Sequence, residues 1–106
     1  MNSINAAIER AEDLGRNKAP LGSPALDRTN GHQVVYPMGV LALDVYREHG
    51  ANGLKKIGQA YQAGYNARAQ QLGIARLDYV DIVNRIGAML PPSATDEERI
   101  AIPEAM

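Results

Sequence analysis

The stretch that most constrains the fold is residues 54–72, which lies in the longest run of the chain without proline. Its side chains recur at the period of an α-helix, so we predict one long central helix there. A hydrophobic stripe and a polar stripe lie on opposite sides. Between them runs a strip of small residues, namely Ala60, Ala63, Gly64 and Ala67. Small side chains allow a second backbone to come close, so we expect this strip to accept another helix, from this chain or from a partner copy.

The candidate binding residues lie on and just after this helix: Tyr61, Tyr65, Arg68 and Arg76. Arg68 falls on the hydrophobic stripe beside the two tyrosines, where a buried guanidinium must be paired. Two interpretations stay open. Arg68 pairs with an acidic side chain or lies along the tyrosine rings with its charged end in water. Alternatively, the tyrosines stack on a nucleotide or other anionic ligand while Arg68 grips its phosphate or carboxylate.

The size and composition predict a single helical domain over residues 1–106. The chain is 45% hydrophobic yet has no phenylalanine or tryptophan, so its core must be aliphatic with five tyrosines as the only large rings. Such a core buries less area per residue than usual, and self-association would add stability, so we expect a homo-oligomer. The absence of cysteine fits a reducing, cytoplasmic setting. No apolar run approaches the roughly 20 residues of a membrane span.

The remaining patterns predict an all-α fold, a small bundle of four to five helices. Besides the central helix, they place helices from Ser3 to Gly15, from Met38 to His49, over residues 78–90, and from Thr95 to about Ile102. Prolines and turn residues predict a long irregular arm over residues 16–36, between the first and second helices. A short turn over residues 49–53 is expected before the central helix.

The sequence offers no recognisable catalytic or metal-binding pattern. Its two histidines, His32 and His49, have no second histidine or cysteine at ligand spacing. No glycine-rich phosphate loop and no nucleophile motif occurs. We therefore expect no enzyme, no cofactor and no metal site.

One segment resembles a known motif. Ala69-Gln-Gln-Leu-Gly-Ile-Ala-Arg76, followed by Tyr79, Ile82 and Val83, resembles the helix-turn-helix of bacterial DNA-binding regulators. The resemblance implies DNA binding by residues 54–90, with a recognition helix over residues 78–90. Its outward residues would be Arg76, Asp78, Asp81 and Arg85.

The charge distribution bears on this alternative. Residues 51–90 hold five cationic side chains against two aspartates, a balance of +3 that suits phosphates. Residues 91–106 form an acidic C-terminal tail of −3, with four acidic side chains against one arginine. The chain as a whole carries −1, which is unlike a dedicated nucleic-acid binder.

The sequence therefore favours a small non-enzymatic interaction protein, expected to be a homo-oligomer. It would bind a protein partner or an anionic ligand through the central helix. The alternatives are a helix-turn-helix DNA-binding regulator and a nucleotide- or anion-binding protein that uses Tyr61, Tyr65 and Arg68.

Overall fold

A computed structural model of the chain describes residues 3–18 and 36–106. Within these ranges the fold is all-α, with four helices and no strand. They are α1 (Ile4–Lys18), α2 (Pro37–Leu72), α3 (Tyr79–Ala88) and α4 (Asp96–Ala105). None of the helices in these two ranges is long and apolar enough to cross a membrane. The predicted irregular arm was placed too early at its start, since residues 16–18 belong to α1. Residues 19–35 of that arm lie outside the described residues.

Helix α2 unites the two helices that the sequence predicts before and after residues 49–53. The only non-helical residue inside it is Gly50, at φ 70° and ψ −158°. Glycine reaches a positive φ without steric cost. The predicted break between the two helices is therefore present, and it is confined to Gly50, narrower than the predicted turn over residues 49–53. The bend is tight, because a Cβ atom on Gly53 would lie 2.7 Å from His49 Cβ and 2.8 Å from Val45 Cγ1. After Gly50 the helix continues without interruption to Leu72, which confirms the predicted central helix.

Helix α1 crosses the central part of α2 at a pair of glycines. A Cβ atom on Gly15 would fall on the carbonyl oxygen of Tyr61, and one on Gly64 would fall on the carbonyl oxygen of Glu12. The two backbones therefore touch directly, and α1 continues past Gly15 to Lys18. The prediction that Gly15 ends the first helix is wrong, because this glycine serves packing and not termination. We call this contact the glycine crossing.

The glycine crossing accounts for half of the predicted small-residue strip. Gly64 and Ala60 are buried, whereas Ala63 and Ala67 are exposed. The helix that comes close is α1 of the same chain. The outer half of the strip remains uncovered in the described part of the chain.

The core is aliphatic with tyrosine rings, as the composition predicts. Its largest fully buried side chains are Tyr61, Tyr65, Met38, Leu54, Ile57, Ile82, Ile86, Met89 and Ile102. The end of α3 packs on the start of α2, because a Cβ atom on Gly39 would collide with the carbonyl oxygen of Met89.

Both predicted helix caps in the C-terminal third are present. Asp78 accepts a hydrogen bond from the Asp81 backbone N–H at 2.9 Å and so begins α3. Thr95 and Glu98 form the predicted capping box at the start of α4.

Helix α4 continues beyond its predicted end at Ile102. Pro103 lies inside the helix, which runs on to Ala105 although the proline has no N–H to bond to the Arg99 carbonyl oxygen. Ile102 is fully buried, whereas Ile100 is 63% exposed. The guanidinium of Arg47 grips the Glu98 carboxylate with two hydrogen bonds, Nε to Oε2 at 2.7 Å and Nη2 to Oε1 at 2.9 Å. The acidic tail is therefore packed on α2.

Candidate docking surface

The structure places the candidate binding residues in different environments. Tyr61 and Tyr65 are only 1% and 2% exposed, so both rings are covered. Arg68 is half-buried and donates a hydrogen bond to Gln71 Oε1 at 3.0 Å, one turn further along the helix. Arg76 is exposed in the segment between α2 and α3. The rings and Arg68 therefore do not share an open surface, and a ligand stacked on the tyrosines would require them to be uncovered.

A cation does reach the tyrosine rings, but it comes from α3. The Arg85 guanidinium lies 5.6 Å from the centre of the Tyr65 ring, a cation–π contact. Burial raises the pKa of Tyr61 to about 12, and the positive charge of Arg85 opposes this shift. Sequence reasoning missed this role by placing Arg85 on the outer face. The available signal was its position, three residues after Ile82 on the edge of the inward stripe of α3.

The chain changes direction at the corner between α2 and α3. Helix α2 ends at Leu72 because Gly73 adopts the left-handed conformation, with φ 71° and ψ 23°. The Gly73 N–H bonds to the Gln70 carbonyl oxygen at 3.3 Å, and the Ile74 N–H bonds to the Ala69 carbonyl oxygen at 3.0 Å. This is the Schellman arrangement, which turns the chain sharply away from the helix axis.

Beyond this turn, two amide side chains fix the backbone against α2. Asn66 Oδ1 accepts a hydrogen bond from the Leu77 N–H at 2.8 Å, and Asn66 Nδ2 donates to the Leu77 carbonyl oxygen at 2.9 Å. Gln62 Nε2 donates to the same carbonyl oxygen at 3.2 Å. We call this arrangement the amide clamp. It holds a segment without regular secondary structure in one position before the Asp78 cap begins α3.

The start of α3 has a second anchor. The hydroxyl of Tyr79 is buried near Gly58, where a Cβ atom would lie 2.6 Å from that oxygen and 2.7 Å from Met106 Cε. Within the part of the chain that the structure describes, this hydroxyl has no hydrogen-bond partner. Burial raises the pKa of Tyr79 above its ordinary value.

The corner carries most of the exposed bulky apolar side chains. In the described residues, the large exposed hydrophobic side chains are Leu72 (41%), Ile74 (37%), Val80 (66%) and Ile100 (63%). Three of these four lie within nine residues, and exposed Arg76 and Asp78 lie among them. We define the corner surface as Leu72, Ile74, Arg76, Asp78 and Val80.

The electrostatic character of the corner surface is mixed. Along the chain, exposed Arg76 is followed by exposed Asp78 and Asp81, so the segment carries both signs of charge. The segment does connect two helices, as the helix-turn-helix resemblance implies. The two aspartates would repel the phosphates that such a motif approaches.

A concave region lies between α1 and the start of α2. This cleft, of about 430 Å³, is lined by Ala6, Ala7, Arg10, Pro37, Val40, Leu41 and Asp44. Among the described residues that line it, Arg10 and Asp44 carry charge, one of each sign. Over residues 3–18 and 36–106 we find no cluster of side chains that could hold a metal ion.

Comparisons of the chain with protein-family models, with curated proteins and with solved structures find no match.

Proposed function

We propose that this protein is a small non-enzymatic interaction protein that docks on another protein chain through the corner surface. The observation that supports this most directly is the exposure of Leu72, Ile74 and Val80 within nine residues of one another. Scattered exposed hydrophobic side chains are ordinary, whereas a contiguous apolar patch marks a contact site, and we propose that these three side chains form one. Burial of apolar area against a partner contributes roughly 25 cal/mol per Å².

The rigidity of the corner supports the same proposal. Ordering a loose segment on binding costs free energy, and a segment already held in place avoids that cost. Here the Schellman turn, the amide clamp and the Asp78 cap fix the backbone on both sides of Arg76. The polar contacts hold the segment while its apolar side chains stay in water.

The proposed contact lies at the C-terminal end of the central helix and not on its tyrosine-bearing side. A nucleotide- or anion-binding protein is less well supported, because Tyr61 and Tyr65 are buried. We propose that the helices together form one small bundle. The lack of cysteine supports a cytoplasmic setting.

The helix-turn-helix alternative makes a different prediction. A DNA-binding regulator would bind duplex with a steep salt dependence, and Arg76→Ala would weaken it. A protein-docking corner depends instead on the apolar side chain of Val80, so Val80→Asp would weaken binding at low and high salt alike.

Site-specific photo-cross-linking tests the proposal. A photoreactive amino acid replaces Val80 in one variant and exposed Ala51, next to the Gly50 break in α2, in a matched control. We expect a discrete protein–protein product from position 80 that disappears when Leu72→Asp or Ile74→Asp is added. Equal labelling from both positions, or no product from position 80, would overturn the proposal.

A further inference from the structure

We infer that the chain that docks on the corner surface is a second copy of this protein, related by a two-fold axis that passes beside Leu77. This inference rests on the proposed function and names its partner. It follows from the order of the residues on either side of Leu77.

The corner sequence Ile74-Ala-Arg76-Leu77-Asp78-Tyr-Val80 is complementary to itself when read in reverse. Ile74 and Val80 each lie three residues from Leu77, and Arg76 and Asp78 each lie one residue from it. Two copies that run antiparallel across an axis at Leu77 bring Arg76 of one toward Asp78 of the other. The same axis brings Ile74 of one toward Val80 of the other, which lies in the first turn of α3. A two-fold interface uses the same patch on both chains, so it requires this kind of self-complementarity.

The side chains that this pairing needs are accessible in the structure. Ile74, Arg76, Asp78 and Val80 are all exposed, whereas Leu77 is half-buried and is held toward α2 by the amide clamp. Residues 74–78 have no regular secondary structure, and Val80 follows them in the first turn of α3. Asp78 has extended backbone angles, φ −80° and ψ 174°.

The charges of the corner also match a second copy. Asp78 uses Oδ1 to cap α3, which leaves Oδ2 for an arginine of the other chain. Each dimer then gains two Arg76–Asp78 ion pairs, and each pair lies beside an apolar Ile74–Val80 contact. Among the described residues, the backbone N–H of Arg76 has no hydrogen-bond partner, so it is available to a carbonyl oxygen of the other copy. A uniformly charged partner would meet repulsion from one sign of this alternating pattern.

The small size of the patch predicts a weak and reversible dimer. A contact made by one segment from each chain falls at the low end of interface areas, which corresponds to a dissociation constant on the order of micromolar to millimolar. The measurement must therefore cover concentrations from about 1 µM to about 1 mM.

Sedimentation equilibrium of the full chain and of charge-exchange variants tests the inference. We expect the wild type to shift from monomer to dimer with concentration. We expect Val80→Asp and Arg76→Glu to raise the dissociation constant about 10-fold or more. Arg76→Glu and Asp78→Lys should each dimerise poorly alone and form a mixed dimer when combined. In that mixed dimer the introduced glutamate faces the introduced lysine, and the remaining native Arg76 faces the remaining native Asp78.

Two controls separate binding from folding. Lys55→Glu makes the same charge change on an exposed part of α2 distant from the corner and should leave the dimer unchanged. Asp78→Lys also removes a helix cap, so Asp78→Asn provides a second test: asparagine keeps the cap but removes the charge, and it should weaken the dimer. Circular dichroism checks that each variant is folded.

A wild type that stays monomeric up to about 1 mM would overturn the inference, as would a dimer that is indifferent to these substitutions. The proposed function would fail differently. A cross-link from position 80 to a chain of another mass would refute the second copy and leave protein docking in place, whereas the absence of any cross-link would refute both.

Discussion

The glycine crossing of α1 with α2 and the corner between α2 and α3 are held in opposite ways. At the crossing, Gly15 and Gly64 have no side chains, so two backbones come into direct contact with little room for change. At the corner, Asn66 and Gln62 hold the backbone by hydrogen bonds, and the bulky side chains of Ile74 and Val80 are exposed to water. The first region stabilises the fold through steric fit. The second uses polar contacts to present an apolar surface.

The comparison predicts that one added methyl group is most damaging at the crossing. Gly64→Ala places a Cβ atom on the Glu12 carbonyl oxygen, so α1 must move away, and we expect a loss of about 3 kcal/mol in the free energy of unfolding. Urea denaturation measures it. Gly87→Ala is the matched control, because its added Cβ atom would meet a side chain, 3.2 Å from Pro103 Cγ, and not a backbone carbonyl group. Equal stability of the two variants would show that the crossing is not tightly packed.

At the corner, the largest expected effect comes from removing the amide clamp. Asn66→Ala leaves the Leu77 N–H without its partner, which we expect to cost about 1–3 kcal/mol. Hydrogen exchange should accelerate at Leu77 and its neighbours and stay slow at the glycine crossing. Gln59→Ala, on the exposed face of the same helix, serves as the control. Uniform acceleration over the whole chain would mean that the corner is not an independently held region.

The attachment of α4 gives a pH-dependent test. The hydrogen bond from Arg47, followed by that from the Thr95 N–H, lowers the pKa of Glu98 from 4.5 to about 2. Because the folded-state pKa lies below the unfolded one, the stabilisation is complete above about pH 4.5 and is lost as the pH falls toward 2. We expect Glu98→Gln to flatten the acid limb of the stability profile, while the exposed neighbour variant Glu97→Gln leaves it unchanged. Parallel profiles for wild type and Glu98→Gln would contradict this assignment.

The smallest predicted effect concerns the Tyr79 hydroxyl. This buried oxygen has no hydrogen-bond partner within the described residues, so its removal relieves a desolvation cost. We expect Tyr79→Phe to keep or raise the free energy of unfolding, by at most about 1 kcal/mol. A clear loss of stability in thermal melting would show that the hydroxyl is hydrogen-bonded in solution.

Local features of this fold were predictable from the sequence, and long-range ones were not. Asp78 and the Thr95–Glu98 box could be identified because a cap bonds within three residues of itself. The prediction that Gly15 ends the first helix is wrong, because the sequence cannot show which backbone approaches a glycine. The Arg47–Glu98 pair joins residues that are 51 positions apart, and no local pattern connects them. The break at Gly50 was predictable from the sequence, but its confinement to one positive φ angle was not.

In the candidate site, too, local features were predictable from the sequence and long-range ones were not. Arg76 could be identified as an exposed cation near a turn, and the structure places it on the corner surface. Tyr61 and Tyr65 lie on the apolar stripe, and the same pattern describes both a ligand-stacking face and a core. Packing by α1 and α3 buries both rings, so Tyr61 and Tyr65 belong to the core and do not form a ligand-stacking face. The reversed complementarity around Leu77 is visible in the sequence, but it has meaning only once the structure shows these side chains exposed.

Disulfide cross-linking tests the central claim most directly, because the native chain contains no cysteine. Ile74→Cys and Val80→Cys variants are oxidised separately and as an equal mixture, and the products are separated by mass. Disulfides form where the two Cα atoms lie within about 7 Å, so the antiparallel arrangement predicts mainly the mixed dimer, which joins position 74 of one copy to position 80 of the other. A mixture that gives like and mixed dimers in random proportion, or no dimer, would contradict the account.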